Sequence, residues 1–253
     1  METVTTVRLF GLELWNTDRV DCARRLVEGL DPNHPRAVYF INAHCVNVAA
    51  TDPAYRRSLA EAYALLPDGA GMELSARLTG IPRLENLNGT DLFPCLLAEA
   101  SPRRLRIGLV GAKPGIAVAC MQRMLERDPS LCFVLAEDGY QPEALLVDKI
   151  RAAAPDIVFV AMGVPLQEFF IQRHRDNLGV PLLLGVGALF DFYSESVARA
   201  PMLFRTLRLE WLHRLLLDPR RLWRRYLIGN LIFLVRMLRL RMSGREKLRS
   251  LLR

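Results

Sequence analysis

The chain is poor in the residues that build metal centres and disulfide frameworks: four histidines and five cysteines in 253 residues. The cysteines (Cys22, Cys45, Cys95, Cys120, Cys132) are odd in number and form no C-x-x-C pair, which argues against a disulfide scaffold or a zinc ribbon. Most sit in apolar stretches such as Ser130-Leu-Cys132-Phe-Val, where cysteine serves as a small core residue. That usage suits the reducing cytoplasm. His34, His174 and His213 have no His or Cys partner at ligand spacing, so no metal site is expected. No basic segment followed by an apolar one opens the chain, so no secretory signal is expected. Neither G-x-G-x-x-G nor a P-loop occurs, which sets aside the dehydrogenase and NTPase readings. Repeats and low-complexity linkers are missing too.

What is present is apolar mass and lopsided charge. Hydrophobic residues make up 51%, enough for one large α/β domain and too many for global disorder. Of the net +7, residues 201–253 carry +11, from 14 Lys and Arg against Glu210, Asp218 and Glu246. Residues 1–200 are left at −4. We therefore expect a mildly acidic body over 1–200 and a basic helical appendage over 201–253.

From residue 36 to 187, short apolar runs alternate with helical stretches. Arg36–Ile41, Leu105–Val110, Cys132–Ala136, Ile157–Ala161 and Leu182–Gly185 read as strands. Ala54–Leu65, Pro114–Leu125, Glu143–Ala154 and Glu168–Asn177 read as helices. Continuous apolar strands joined by helices imply a parallel sheet covered on both faces, a Rossmann-like α/β core. In the tail, Pro219 separates two expected helices, 202–217 and 220–241. On a 100° wheel Trp223, Leu227, Leu231, Leu234 and Leu238 share one arc, with Arg221, Arg225, Arg236 and Arg239 opposite. The longest uncharged run, Tyr226–Val235, is half the ~20 residues a membrane span needs, so the tail lies on a surface and does not cross one. An anionic membrane fits this stripe better than nucleic acid, whose phosphates need no apolar face. A solvated face, a protein partner or a homo-oligomer contact are the other readings.

Ligands of parallel sheets bind at the carboxyl ends of strands. Those loops hold Asn42 and His44, Gly111 to Gly115, Gly139 and Tyr140, Gly163 with Gln167 and Glu168, and Gly187 with Asp191. The Gly111–Gly115 loop reads either as a diphosphate cradle or as a tight β–α turn. Asp68, in Leu66-Pro-Asp-Gly69 between two expected helices, reads as a functional carboxylate or as a turn and cap residue. Asn88 and Asp91 share that ambiguity. His44 could meet substrate or be structural; Gln167 and Glu168 could bind sugar or cap a helix.

Taken in order, these strings resemble the WecG/TagA/CpsF family of glycosyltransferases (family 26). They are Asn42-Ala-His44, Leu66-Pro-Asp68-Gly69, Asn88-Gly-Thr-Asp91-Leu92, Gly111-x-x-Pro114-Gly115, Gly139-Tyr140 and Gly163-x-Pro165-x-Gln167-Glu168. Gly185-x-Gly187-x-x-Phe190-Asp191, Arg199-Ala-Pro201, Glu210-Trp211-x-x-Arg214, Pro219-Arg-Arg221 and Arg225-Tyr226 complete the series, over about residues 8–240. The resemblance implies inverting transfer of a sugar from a UDP-sugar to an undecaprenyl-diphosphate-linked acceptor on the cytoplasmic membrane face. The products would be teichoic acid linkage units, common antigen or exopolysaccharide repeats. It implies no D-x-D metal motif, and this chain has none. No cofactor is implied beyond the donor itself. Asp68 becomes the general base, Asn42 and Gln167 orient sugar hydroxyls, and the Gly111–Gly115 loop with Arg214, Arg221 or Arg224 steadies the leaving UDP. The appendage would dock on the bilayer and complete the site. Two positions depart from some members: Phe40 stands in place of Thr and Asn86 in place of Arg. A glucose-type donor is therefore expected as readily as N-acetylmannosamine. The alternative is a non-catalytic nucleotide-sugar-binding regulatory protein.

Overall fold

The computed structural model describes residues 4–196, 201–202, 204 and 210–251. A two-stranded antiparallel hairpin, β1 (Thr6–Leu9) and β2 (Leu12–Trp15), leads into α1 (Arg19–Val27). The core then runs β3 (Arg36–Ile41), α2 (Ala43–Thr51), α3 (Pro53–Ala60), β4 (Ala64–Pro67), α4 (Ala70–Leu78) and α5 (Gly89–Ala100). It continues β5 (Arg106–Gly111), α6 (Ile116–Arg127), β6 (Cys132–Glu137), α7 (Glu143–Ala153), β7 (Ile157–Ala161), α8 (Leu166–Leu178), β8 (Leu182–Gly185) and α9 (Leu189–Tyr193). The six strands β3–β8 form one parallel sheet in the order β4-β3-β8-β7-β5-β6. This is the Rossmann-like α/β class the strand pattern implied.

Alternation along each strand sorts side chains between two cores. Tyr39, Ile41, Val158, Val160 and Leu183 face the layer of α2, α3, α7 and α8. Val38, Phe40, Ile157, Phe159 and Leu184 face α1, α5, α6 and α9. Connections after β5 and β7 leave toward opposite layers, as do those after β3 and β8. Crevices therefore open at the carboxyl edge.

Two expectations need correction. Ala54–Leu65 is not one helix: α3 ends at Ala60, and Ala64–Pro67 is an edge strand. Ala-Leu-Leu-Pro has no β-branched residue, so it read as one more helical turn. Its closing proline is tolerated because β4 pairs on one side only. Asp68 thus stands at a strand's carboxyl end, not between two helices.

The tail comprises α10 (Glu210–Leu217), α11 (Pro219–Trp223), a π-helical turn (Arg224–Ile228) and α12 (Gly229–Leu251). Residues 203 and 205–209 of the expected first tail helix, Arg199 and the Arg221 side chain lie outside the described residues. No described helix is long and apolar enough to cross a membrane. The structure pins α12 to the core through Phe233 and Met237, 5% and 2% exposed. Phe233 packs 5.4 Å from the Phe10 ring, and a Cβ on Gly71 would stand 3.1 Å from its edge. Asn47 of α2 donates to the Gly229 carbonyl at 2.7 Å. The opposite face leaves Leu231 63% exposed, with Leu234, Leu238 and Met242 beside it.

Phe233→Ala should therefore cost about 3–5 kcal/mol, the usual penalty for emptying a buried phenyl site. Hydrogen exchange should accelerate across α12 while β3–β8 stay protected. Equal acceleration throughout would show that the helix is not a separately docked element.

Candidate active site

Asp68 is the centre of a cluster drawn from five elements. Its backbone N–H donates to the Ile41 carbonyl (2.8 Å), tying the end of β4 to the end of β3. Asn42 caps α2 by accepting from the His44 and Cys45 backbone amides, and its own amide donates to Asp68 Oδ2 at 3.2 Å. Capping and orienting are thus one task, since the same side chain that starts the helix fixes the carboxylate. Asn88 caps α5 and donates to Asp91 Oδ2 at 3.0 Å.

Two tail arginines complete the cluster. Burial raises the Asp68 carboxyl above its ordinary range; the Asn42 hydrogen bond and the Arg214 and Arg225 charges pull it partly back, and Asp91 pushes it up again. Arg214 lies 4.8 Å over the Phe192 ring of α9, and Trp211 packs 6.0 Å from Tyr226, bracing α10 on the π turn. Arg224 lies exposed over Trp223, 5.3 Å from its ring, so Arg225 is the residue of that pair that acts on Asp68. The sequence carried this signal: the helical wheel set Arg225 on the side away from the apolar stripe, which is the side the body covers. Arg19 was not legible at all. From α1 it reaches Asp91 Oδ2 at 3.3 Å and the Asn86 carbonyl at 3.3 Å. A guanidinium thus stands beside Asn86, whose side chain accepts from the Gly69 amide at 3.1 Å.

His44 lies half-buried in the same cluster. Desolvation and the Arg225 charge push its pKa down to about 4, so its imidazole is neutral at neutral pH and can only exchange neutral hydrogen bonds.

Gln167 has a different task from the sugar contact expected of it. It is 3% exposed, and its Oε1 accepts from the Gly163 amide (3.2 Å) and the Gly187 amide (2.8 Å), strapping the β7 loop to the β8 loop. Its amide nitrogen donates to Glu168 Oε1 at 3.0 Å. Glu168 is 0% exposed, and burial pushes its carboxyl up to about 7. Neither side chain opens onto solvent.

The Gly111 loop closes on itself. A Cβ at Gly111 would sit 2.5 Å from the Ala161 carbonyl, and one at Gly139 would sit 3.1 Å from Gly111 Cα. Glycine is required at Gly111 by that close approach. At ~4.8 Å per strand, the four steps from β4 to β5 put this loop about 19 Å from Asp68. That is too far to cradle a diphosphate whose sugar reacts at Asp68. Tyr140 is 72% exposed on the β6 loop, and Asp191 lies half-buried in the first turn of α9. Among the described residues no group of three His, Cys, Asp or Glu side chains could hold a metal ion.

A carboxylate of raised pKa, an orienting amide and two guanidiniums at a strand-end crevice suit group transfer from an anionic donor. The model of the WecG/TagA/CpsF glycosyl transferase family matches residues 7–247. The chain belongs to that family. Among its similar relatives is the N-acetylglucosaminyldiphosphoundecaprenol N-acetyl-beta-D-mannosaminyltransferase of Bacillus spizizenii, 36% identical over 78% of this chain and 77% of its own. The protein of that name from Bacillus subtilis is 36% identical over 74% and 73%. The one from Staphylococcus aureus is 26% identical over 86% and 87%. The family match runs to residue 247 and so includes the arginine-bearing tail.

The buried Glu168 gives this site a signature in stability. Its folded pKa of about 7 exceeds the ordinary 4.5, so its contribution is fully present below about pH 4.5 and is lost as pH rises through 7. Glu168→Gln keeps the acceptor for Gln167 and removes that loss. The variant's Tm relative to wild type should rise between pH 5 and pH 8; an unchanged difference would mean that Glu168 does not titrate there.

Proposed function

We propose that the chain transfers a sugar from a UDP-sugar to an undecaprenyl-diphosphate-linked acceptor, with inversion, for a bacterial surface or exopolysaccharide. The observation that carries this reading is Asp68 held by Asn42 under the charges of Arg214 and Arg225. The names of the relatives, which specify a diphosphoundecaprenol acceptor, support it.

In this mechanism Asp68 takes the proton of an acceptor hydroxyl as its oxygen attacks the anomeric carbon. The bond from that carbon to the UDP oxygen breaks on the opposite face, which inverts the centre. A carboxyl whose pKa burial raises is a stronger base than an ordinary one, and Arg214 and Arg225 favour its ionised form against that burial. The same guanidiniums neutralise the charge that develops on the leaving UDP. With the diphosphate there, the uridine end extends along the edge toward the Gly163 and Gly111 loops. No cofactor is needed beyond the donor, and the arginines take the part a metal plays elsewhere.

The exposed leucine stripe of α12, together with the tail's surplus of arginine, supports peripheral binding to the inner face of the cell membrane. A lipid-linked acceptor would reach Asp68 from that surface. Phe40 lies over Gly89 beside the cluster and Asn86 holds the Gly69 amide, so both departures border the sugar position.

The direct test is transfer from a panel of UDP-sugars to a polyprenyl-diphosphate-sugar analogue, wild type beside Asp68→Asn. One donor should release UDP, and the variant should lose about 10²–10⁴-fold in kcat with donor binding retained. Equal turnover by the variant would remove Asp68 from the chemistry. Donor binding without transfer in the wild type would favour a nucleotide-sugar sensor.

A further inference from the structure

A second cavity, of about 910 Å³, lies outside the Asp68 cluster, between the β1–β2 hairpin, the α2–α3 pair and α12. Its size falls within the range of sites that enclose small ligands. Its lining combines apolar side chains, among them Phe10, Trp15, Val46, Leu59 and Leu240, with Arg56, Arg236 and Arg239. None of these three guanidiniums has a carboxylate partner among the described residues; Arg56 Nε donates to the Ala49 carbonyl at 2.9 Å, and Arg236 Nε is buried without a partner. The one acid on the lining, Glu13, is exposed and accepts the Thr6 hydroxyl. The lining shares no residue with the Asp68 cluster.

A cleft that combines apolar lining with unneutralised arginines matches an amphiphile with an anionic head. A free nucleotide would leave the apolar wall uncovered, and a neutral lipid would leave three charges unanswered. The helix that carries Arg236 and Arg239 bears the exposed leucine stripe on its other face, so the element that lines the cleft is also the one that meets the bilayer. We propose that this cleft takes up one anionic phospholipid from the membrane, its phosphate on Arg56, Arg236 and Arg239 and a fatty chain against Trp15 and Val46. The site is distinct from the Asp68 cluster, none of whose residues lines it. The inference rests on the membrane-facing reading of α12. A protein that floats with vesicles but fails the test below would overturn the cleft and leave that reading intact.

Trp15 makes the cleft observable. The sequence holds three tryptophans, Trp15, Trp211 and Trp223, so the full chain with Trp211→Phe and Trp223→Phe reports from the cleft alone. The probe is a short-chain phosphatidylglycerol brominated on its acyl chain, used below its micelle concentration. We expect saturable quenching of Trp15, weakened about 30-fold by Arg236→Gln with Arg239→Gln, at roughly a fivefold change for each basic contact. Arg220→Gln with Arg241→Gln removes the same charge away from the cleft and should leave the affinity within about twofold of its parent. Ala50→Phe, which fills the cavity without touching its charge, should abolish quenching while the Tm shows the fold intact. Equal losses in both double-arginine variants would reduce the effect to diffuse electrostatics and overturn the site. So would equal quenching by the phosphatidylcholine analogue, or tighter binding of a polyprenyl phosphate in competition, which would hand the cleft to the acceptor's own lipid.

Discussion

The arrangement of this protein hangs on one aromatic contact, the seating of Phe233 among Phe10, Ala43 and Gly71. The ring fixes α12 along α2, and α2 is the helix that Asn42 caps. Everything that faces Asp68 from the tail is positioned relative to that seat. The Asn47 bond to the Gly229 carbonyl pins the start of α12, and the π turn just before it presents Arg225 to the carboxylate. A full α-helical register there would rotate the neighbouring arginines; in the π turn Arg224 is exposed and Arg225 is half-buried.

The body contributes the other half by simple sheet logic. Strands β3 and β4 end side by side, so Asn42 and Asp68 meet because their strands pair, with the Ile41 carbonyl and Asp68 amide as the link. The loops of β7 and β8 are fastened from beneath by Gln167, which spends its amide oxygen on two backbone N–H groups. Glu168 holds the nitrogen end of that amide and so selects its orientation. The carboxyl edge is therefore preorganised around a charged centre at one end and close-packed glycine loops at the other.

Much of this was legible from the residues. Strands β3, β7 and β8 announced themselves as apolar runs with aromatic or branched side chains, or a leucine run closed by glycine. Helices α6, α7 and α8 followed from periodicity, whereas the residues of α2 and α9 read as strand-end loops. The edge strand β4 did not, because four residues without branching continue a helical pattern as readily as they begin a strand. The hairpin β1–β2 was hidden by brevity, although Val7 and Leu9 alternate with Arg8 and Leu12 and Leu14 with Glu13. Asp68 was found as a residue but not as a strand end. Gln167 looked like a ligand contact because a polar side chain after a strand usually is one; only the fold shows that two loop amides already use it. Arg19 comes from a helix some seventy residues away in sequence from Asp91, and no local pattern could have placed it there.

The central claim is that the tail arginines and Asp68 act as one electrostatic unit. It is tested most directly by the pH dependence of kcat/KM for sugar transfer in wild type and Arg225→Gln. Activity should fall as pH drops through the pKa of Asp68, since the base must be ionised. Because Arg225 holds that pKa down against burial, its removal should move the acid limb to higher pH. An acid limb at the same pH in both proteins would show that the tail does not tune the base, and would contradict the account.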